Sequence, residues 1–223
     1  MERHEKLARL DQLLTSGAAF HGSGTDASTF VNWQLAPEVL GWLVTDTDPG
    51  ARTLETGCGY STVAFALAGA RHTAISPRVY EHDRVRQWCA AHDIALDTVE
   101  FVAGESQVVL PSLPADPLDV VLVDGDHAFP SPFIDWYYTA HRLRTGGLVV
   151  IDDTQLRTAA LLAEFLDGET GRWARHRTFT RTAVFTKVSD EWRAPDGWVG
   201  QPFCAVPARP VNRVRRWLSR TRR

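Results

Sequence analysis

At 223 residues, with 44% hydrophobic and 23% charged side chains, the chain suits one α/β domain with modest additions and is long enough to bury a sizeable core. No apolar run approaches the length of a membrane-spanning helix, and the three cysteines (Cys58, Cys89, Cys204) are odd in number and widely spaced, which argues against a disulfide framework or a zinc site. A reducing cytoplasm is the expected compartment. The formal net charge of −3 conceals an asymmetry, because Arg209 to Arg223 holds seven arginines and no acid and leaves the remainder strongly acidic. The N-terminus carries both charge signs and leads into Leu7, Leu10, Leu13 and Leu14 at helical spacing, a pattern unlike a signal peptide. This first helix should end near Ser16-Gly17, before a loop through Gly22 and Asp26; Pro37 then opens a second helix with Val39, Leu40, Trp42 and Leu43 on one side. His21, Phe30 and Trp33 lie between the two, either as part of a flap over a site or packed against the body of the protein.

From Arg52 onward strands and helices alternate, the signature of a parallel sheet covered on both faces. Strands are predicted at 52–56, 72–76, 98–103, 118–124 and 148–152, and helices at 60–69, 79–92, 130–143 and 155–167. Two further β-rich stretches, 178–180 and 182–188, are too close to enclose a crossover helix and should form an antiparallel hairpin at one edge. The expected organisation is N-terminal helices and cap over 1–50, an α/β domain over 51–190, and an irregular segment with a basic tail over 191–223.

The centre of this pattern is Thr53-Leu54-Glu55-Thr56-Gly57-Cys58-Gly59-Tyr60-Ser61-Thr62: a strand, a tight glycine turn and a helix N-terminus, which lets backbone N–H groups approach a nucleotide-like ligand. A dinucleotide fingerprint would have a third glycine where Thr62 stands. An acid two residues ahead of Gly-x-Gly instead resembles the first motif of class I S-adenosylmethionine-dependent methyltransferases, over roughly residues 35–190. That resemblance implies a Rossmann-like, seven-stranded, mostly parallel sheet with a terminal antiparallel hairpin. It further implies that Glu55, Gly57 and Gly59 shape the aminoacyl pocket of the cofactor, that Tyr60, Ser61 and Ser76 are also cofactor-binding, and that a side chain placed on Gly57 would fill the turn while the fold survives.

At the end of the second strand the family's ribose-binding acid is replaced by Ser76, and Glu81 and Asp83 come too late in the chain to be simple equivalents. Glu105, after the third strand, matches the segment beside the adenine. Asp124-Gly125-Asp126-His127 follows the fourth strand and Asp152-Asp153 the fifth. Neighbouring strands lie about 4.8 Å apart, so acids at these ends converge and call for a cation or protons to balance them. This pattern resembles metal-assisted small-molecule O-methyltransferases, which implies Asp124, Asp152 and Asp153 as ligands of a hard divalent ion such as Mg²⁺ and His127 as the base, with Asp124 also beside the cofactor. Alternatively Asp152 or Asp153 caps the following helix, and His127 is a loop residue.

The leading expectation is methyl transfer from S-adenosylmethionine to a hydroxyl of a small, polyhydroxylated acceptor. The alternatives are a non-catalytic module of the same fold tethered by its tail, and a nicotinamide-dependent oxidoreductase. Val211, Val214 and Leu218 share one helical face among the tail arginines, so the tail is either a basic segment lying on an anionic membrane, making the protein peripheral to it, or a solubilising end. Nucleic acid is not the expected partner, and the sequence leaves the oligomeric state open.

Overall fold

A computed structural model describes residues 1–22, 34–194 and 197–205. Phe30, Trp33 and the arginine-rich tail lie outside the described residues. Two N-terminal helices, α1 (Arg3–Thr15) and α2 (Pro37–Asp46), precede an alternating series. It runs β1 (Arg52–Thr56), α3 (Tyr60–Ala68), β2 (Arg71–Ser76), α4 (Val79–Ala91), β3 (Val99–Ala103), the short α5 (Ser106–Val109), β4 (Leu118–Val123), α6 (Ser131–Ala140), β5 (Leu143–Ile151) and α7 (Arg157–Gly168). The chain then turns back through β6 (Trp173–Thr178) and β7 (Ala183–Lys187).

The seven strands are ordered β3-β2-β1-β4-β5-β7-β6. The first five are parallel, while β7 runs antiparallel to both β5 and β6. The expected sheet and its terminal hairpin are therefore present. Two boundaries differ. β5 begins at Leu143 because its first half, with Gly146 and Gly147, lacks the continuous apolar run that marks the buried half. β6 begins at Trp173 because an edge strand bearing Arg175, His176 and Arg177 on its exposed positions does not read as β-rich.

Side chains alternate across the sheet, so each strand feeds two cores. On one face Val63 and Phe65 of α3 and Val85 of α4 pack with Leu10 and Leu13 of α1 and with Val39 and Leu40 of α2. The N-terminal helices thus share the core that covers β1. On the other face Leu54, Val121, Val149 and Ile151 pack with Trp136 of α6 and with Leu162, Phe165 and Leu166 of α7. Among the described residues no helix is long and apolar enough to cross a membrane.

The strand order reverses between β1 and β4: from β1 the chain goes outward to β2 and β3, then returns to the other side of β1. That reversal separates the turns beyond β1 and β4 and opens a crevice at the carboxyl ends of the strands, the usual ligand position in open α/β sheets.

Candidate active site

A cavity of about 760 Å³ occupies this crevice, lined by residues from the ends of β1, β2, β4 and β5. Its floor is the glycine turn. Gly57 has φ +130°, and a Cβ there would stand 2.8 Å from the Asp124 carbonyl oxygen. The Gly57 N–H donates to the Ile75 carbonyl at 2.8 Å and the Asp124 N–H to the Thr56 carbonyl at 3.2 Å. The turn is thus wedged between two neighbouring strand ends, and a substitution at Gly57 strains the backbone as well as filling a pocket. A cost in stability is therefore added to the expected loss of binding.

Glu55 does not line the cavity. Thr56 does, and strand alternation sends its neighbour's side chain to the opposite face. There Glu55, fully buried, accepts hydrogen bonds from the Thr62 hydroxyl and from His72 Nε2, the latter at 3.0 Å. Thr62 Oγ1 in turn accepts from the Gly59 N–H at 2.9 Å, and His72 Nδ1 meets Thr53 Oγ1 at 2.8 Å. Glu55 therefore acts as a brace beneath the turn, and Thr62, which breaks the dinucleotide pattern, is the link that passes its hold to Gly59. Gly57, Gly59, Tyr60 and Ser61 do line the cavity.

At the end of β2 a buried acid from α4 reaches Ser76. Ser76 Oγ donates to Glu81 Oε2 at 2.6 Å, and Glu81 Oε1 lies 3.1 Å from His21 Nδ1 and 3.4 Å from Arg78 Nη1. Glu81, set aside as too late in the chain to be a simple equivalent of the ribose acid, is 2% exposed yet lines the cavity and lies against Ser76. Burial pushes its carboxyl up, but the hydrogen bonds from His21 and Ser76 more than offset this and hold it below the ordinary range. His21 also lines the cavity, which places part of the segment between α1 and α2 over the site. Glu105 lines the cavity from an exposed position and accepts from Gln107 Nε2 at 2.7 Å.

The acids beyond β4 and β5 meet as their spacing suggested, with one exchange. Asp124, His127 and Asp153 each offer a donor atom, and these atoms lie within 4.8 Å of one another. His127 Nε2 is 3.1 Å from Asp153 and 4.0 Å from Asp124. The loop that presents the imidazole is fixed by Asp126, whose carboxylate accepts from the Ala128 N–H at 3.1 Å and from Ser131 Oγ at 2.6 Å; Thr158 Oγ1 donates to the His127 carbonyl. Asp152 stands apart from this group. It is 2% exposed, does not line the cavity, and accepts from the Thr182 hydroxyl. Asp152 turns to Thr182, whereas Asp153, in a left-handed conformation (φ 53°), faces His127. Neither acid caps the following helix, whose N-cap is Leu156.

Burial pushes the Asp124 carboxyl well above its ordinary value, and the charges of Asp152, Glu55 and Asp153 add to the effect. Arg181, unremarked in the sequence, opposes it from the β6–β7 turn. Its signal was hidden in register. Ile151 pairs with Ala183, so Thr182 falls opposite Asp152 and Arg181 opposite Asp153.

A further acid lies beneath the cavity. Asp135 of α6 is fully buried, and neither of its carboxylate oxygens has a well-formed hydrogen bond. Burial pushes its pKa up to about 6, partly countered by the neighbouring Ser106 and Thr56 hydroxyls. A carboxyl whose folded pKa exceeds its unfolded one contributes stability fully at low pH and loses it as pH rises through the folded value. Asp135→Asn should therefore raise stability at pH 8 by about 1–3 kcal/mol. The gain should vanish below the ordinary aspartate pKa of 3.8, as denaturant melts at pH 8, 6 and 3.5 would show.

Strand order, glycine turn and cavity together define the class: this is the fold of the class I methyltransferases. Residues 54–154 match the family model of a methyltransferase domain. The catechol O-methyltransferase of Mycobacterium tuberculosis is 30% identical over 122 residues, 53% of this chain and 54% of that protein, so the chain matches about half the length of this curated relative. Among solved structures, an O-methyltransferase from Bacillus cereus in complex with SAH superposes with a TM-score of 0.63 at 17% identity, over 82% of this chain and 91% of that one. The O-methyltransferase TomG from Streptomyces achromogenes, in complex with SAM, does so with 0.61 at 18% identity, over 85% and 100%.

Proposed function

We propose that the protein transfers a methyl group from S-adenosylmethionine to a hydroxyl oxygen of a small, polyhydroxylated acceptor, assisted by a divalent ion such as Mg²⁺. The observation that carries this reading is the convergence of Asp124, His127 and Asp153 in the same cavity as the glycine turn. The name of the curated relative points the same way, since catechol is a vicinal diol.

Gly57, Gly59, Tyr60 and Ser61 would receive the aminoacyl end of the cofactor, while Ser76, backed by Glu81, and Glu105 face its nucleoside. The donor set fits a hard ion: Asp124 and Asp153 bring carboxylate oxygens to within 4.8 Å, and the crowding that raises the Asp124 pKa is what a cation relieves. A divalent ion bound there would lower the pKa of an acceptor hydroxyl. His127 is assigned the proton rather than the ion, because one nitrogen cannot do both and its Nε2 is the atom that faces the acid pair. Asp153 Oδ2 lies 3.1 Å from this same nitrogen, so Asp153 would have to turn to the ion to leave Nε2 free to accept a proton. Burial of Asp152 leaves it a supporting role, held by Thr182 behind Asp153. A transfer assay with labelled S-adenosylmethionine, vicinal diols as acceptors, and Mg²⁺ or a chelator tests the reading; no labelled product from any diol, with or without Mg²⁺, would overturn it.

The arginine-rich end is proposed to rest on an anionic membrane surface, with basic residues contributing about 1 kcal/mol each when close to it. Co-sedimentation with anionic vesicles at low salt should be lost on truncation after Ala208. Equal binding by both chains would remove the proposal.

A further inference from the structure

Arg181 is the one arginine within salt-bridge distance of Asp153 among the described residues, and its surroundings specify how it is held. Its Nη1 lies 3.5 Å from Asp153 Oδ1 and its Nη2 3.9 Å from Asp152 Oδ2, while Nη2 also donates to the Gln34 carbonyl. The other oxygen of Asp153 faces His127. Asp153 thus faces an imidazole on one side and a guanidinium on the other, with Gln155 Nε2 donating to the guanidinium-side oxygen at 2.7 Å. The carboxylate contacts of the guanidinium are long and not a bidentate fork, so they are the weaker part of its attachment, whereas the Gln34 carbonyl anchors it at the cavity wall. An arginine does not shed its proton to accommodate a second cation.

We infer that Arg181 is a tethered internal cation that competes with a divalent ion for Asp153, and so sets the affinity of the Asp124–Asp153 site for metal. The inference rests on the metal-assisted reading above and adds a residue to it. Without the ion, Arg181 offsets part of the repulsion among Asp124, Asp152 and Asp153. An arriving ion takes over that task and meets a fixed positive charge about one contact distance away. Metal affinity is thereby held down, and the guanidinium, released from Asp153, stays attached to Gln34 beside the entrance.

Mn²⁺ is the probe, with free ion followed by its paramagnetic resonance signal, on the full chain with wild-type sequence and as Arg181→Met, Arg181→Lys and Asp124→Asn. Circular dichroism melts confirm folding, and Arg181→Lys, which keeps the charge, provides a second variant. The side chain of Arg181 is 35% exposed, so its loss leaves no sealed void. Arg181→Met should bind Mn²⁺ about 3- to 10-fold more tightly than wild type, the scale of a partly exposed ion pair acting on a divalent charge, and Arg181→Lys should stay within about twofold of wild type. Saturable binding by wild type that is lost in Asp124→Asn, together with unchanged or weaker binding by Arg181→Met, would overturn the inference alone. No saturable binding by wild type or Arg181→Met would overturn the metal reading and the inference with it.

Discussion

Replacing His127 with alanine should lower the methyl-transfer rate by about 10²–10⁴-fold, the usual worth of a positioned general base, while metal and cofactor binding persist. A sugar-like or catechol-like hydroxyl is a poor nucleophile at neutral pH until its proton is removed, and His127 Nε2 lies 3.1 Å from Asp153 and 4.0 Å from Asp124. Asp124→Asn and Asp153→Asn should behave differently, losing Mg²⁺ dependence and activity together. Asp152→Asn provides the contrast, because its side chain lies outside the cavity behind Thr182; it should cost far less than either neighbour. Single-turnover rates with and without chelator, set beside calorimetric titration of S-adenosylmethionine, separate these roles. If His127→Ala lost metal as well as rate, its imidazole would be a ligand and the base would have to be sought elsewhere.

Gly57→Ala should abolish measurable cofactor binding and also lower the melting temperature. Its φ of +130° is disfavoured for any side chain, and the added Cβ would approach the Asp124 carbonyl to 2.8 Å, so either β1 or β4 must shift at its end. The strain alone is on the order of 1–3 kcal/mol. The displaced group is the backbone of Asp124 itself, so metal binding should suffer too. Gly59→Ala is the informative companion. Its added Cβ would meet the His21 ring at 2.9 Å, a side chain that can move, and it should weaken cofactor affinity with little loss of stability. Equal cofactor affinity in a folded Gly57→Ala protein would mean that the ligand does not lie over this turn.

Most of the sheet was legible because parallel strands buried on both faces read as short apolar runs, as in Val120-Val121-Leu122-Val123, and amphipathic helices separate them. The exposed edge was not, since β6 buries Trp173 and little else and its sequence has no reason to look like a strand. The site divided along the same line. Residues that follow a strand directly, such as Gly57, Gly59, Ser76, Asp124 and His127, could be placed by counting from strand ends. Choosing between Asp152 and Asp153 depended on a single left-handed residue that an aspartate pair does not advertise. Glu55 was given to the ligand because the motif puts it next to the turn, whereas its strand neighbour Thr56 had the facing position. Glu81 is set aside and Arg181 passes unnoticed in the sequence because they arrive from helix geometry and antiparallel register, neither of which leaves a spacing.

The reversed direction of β7 reaches further than its place at the sheet margin suggests. Had it run parallel, its beginning would lie on the far rim, and the turn before it, with Arg181 and Thr182, could not touch Asp152 or Asp153. Because it runs back, the hairpin tip is delivered to the cavity rim, where Arg181 and Thr182 meet Asp152, Asp153 and the Gln34 carbonyl. Exchange of residue 181 or 182 is thus expected to redraw the charge around Asp152 and Asp153 while leaving Gly57 and Gly59 in place.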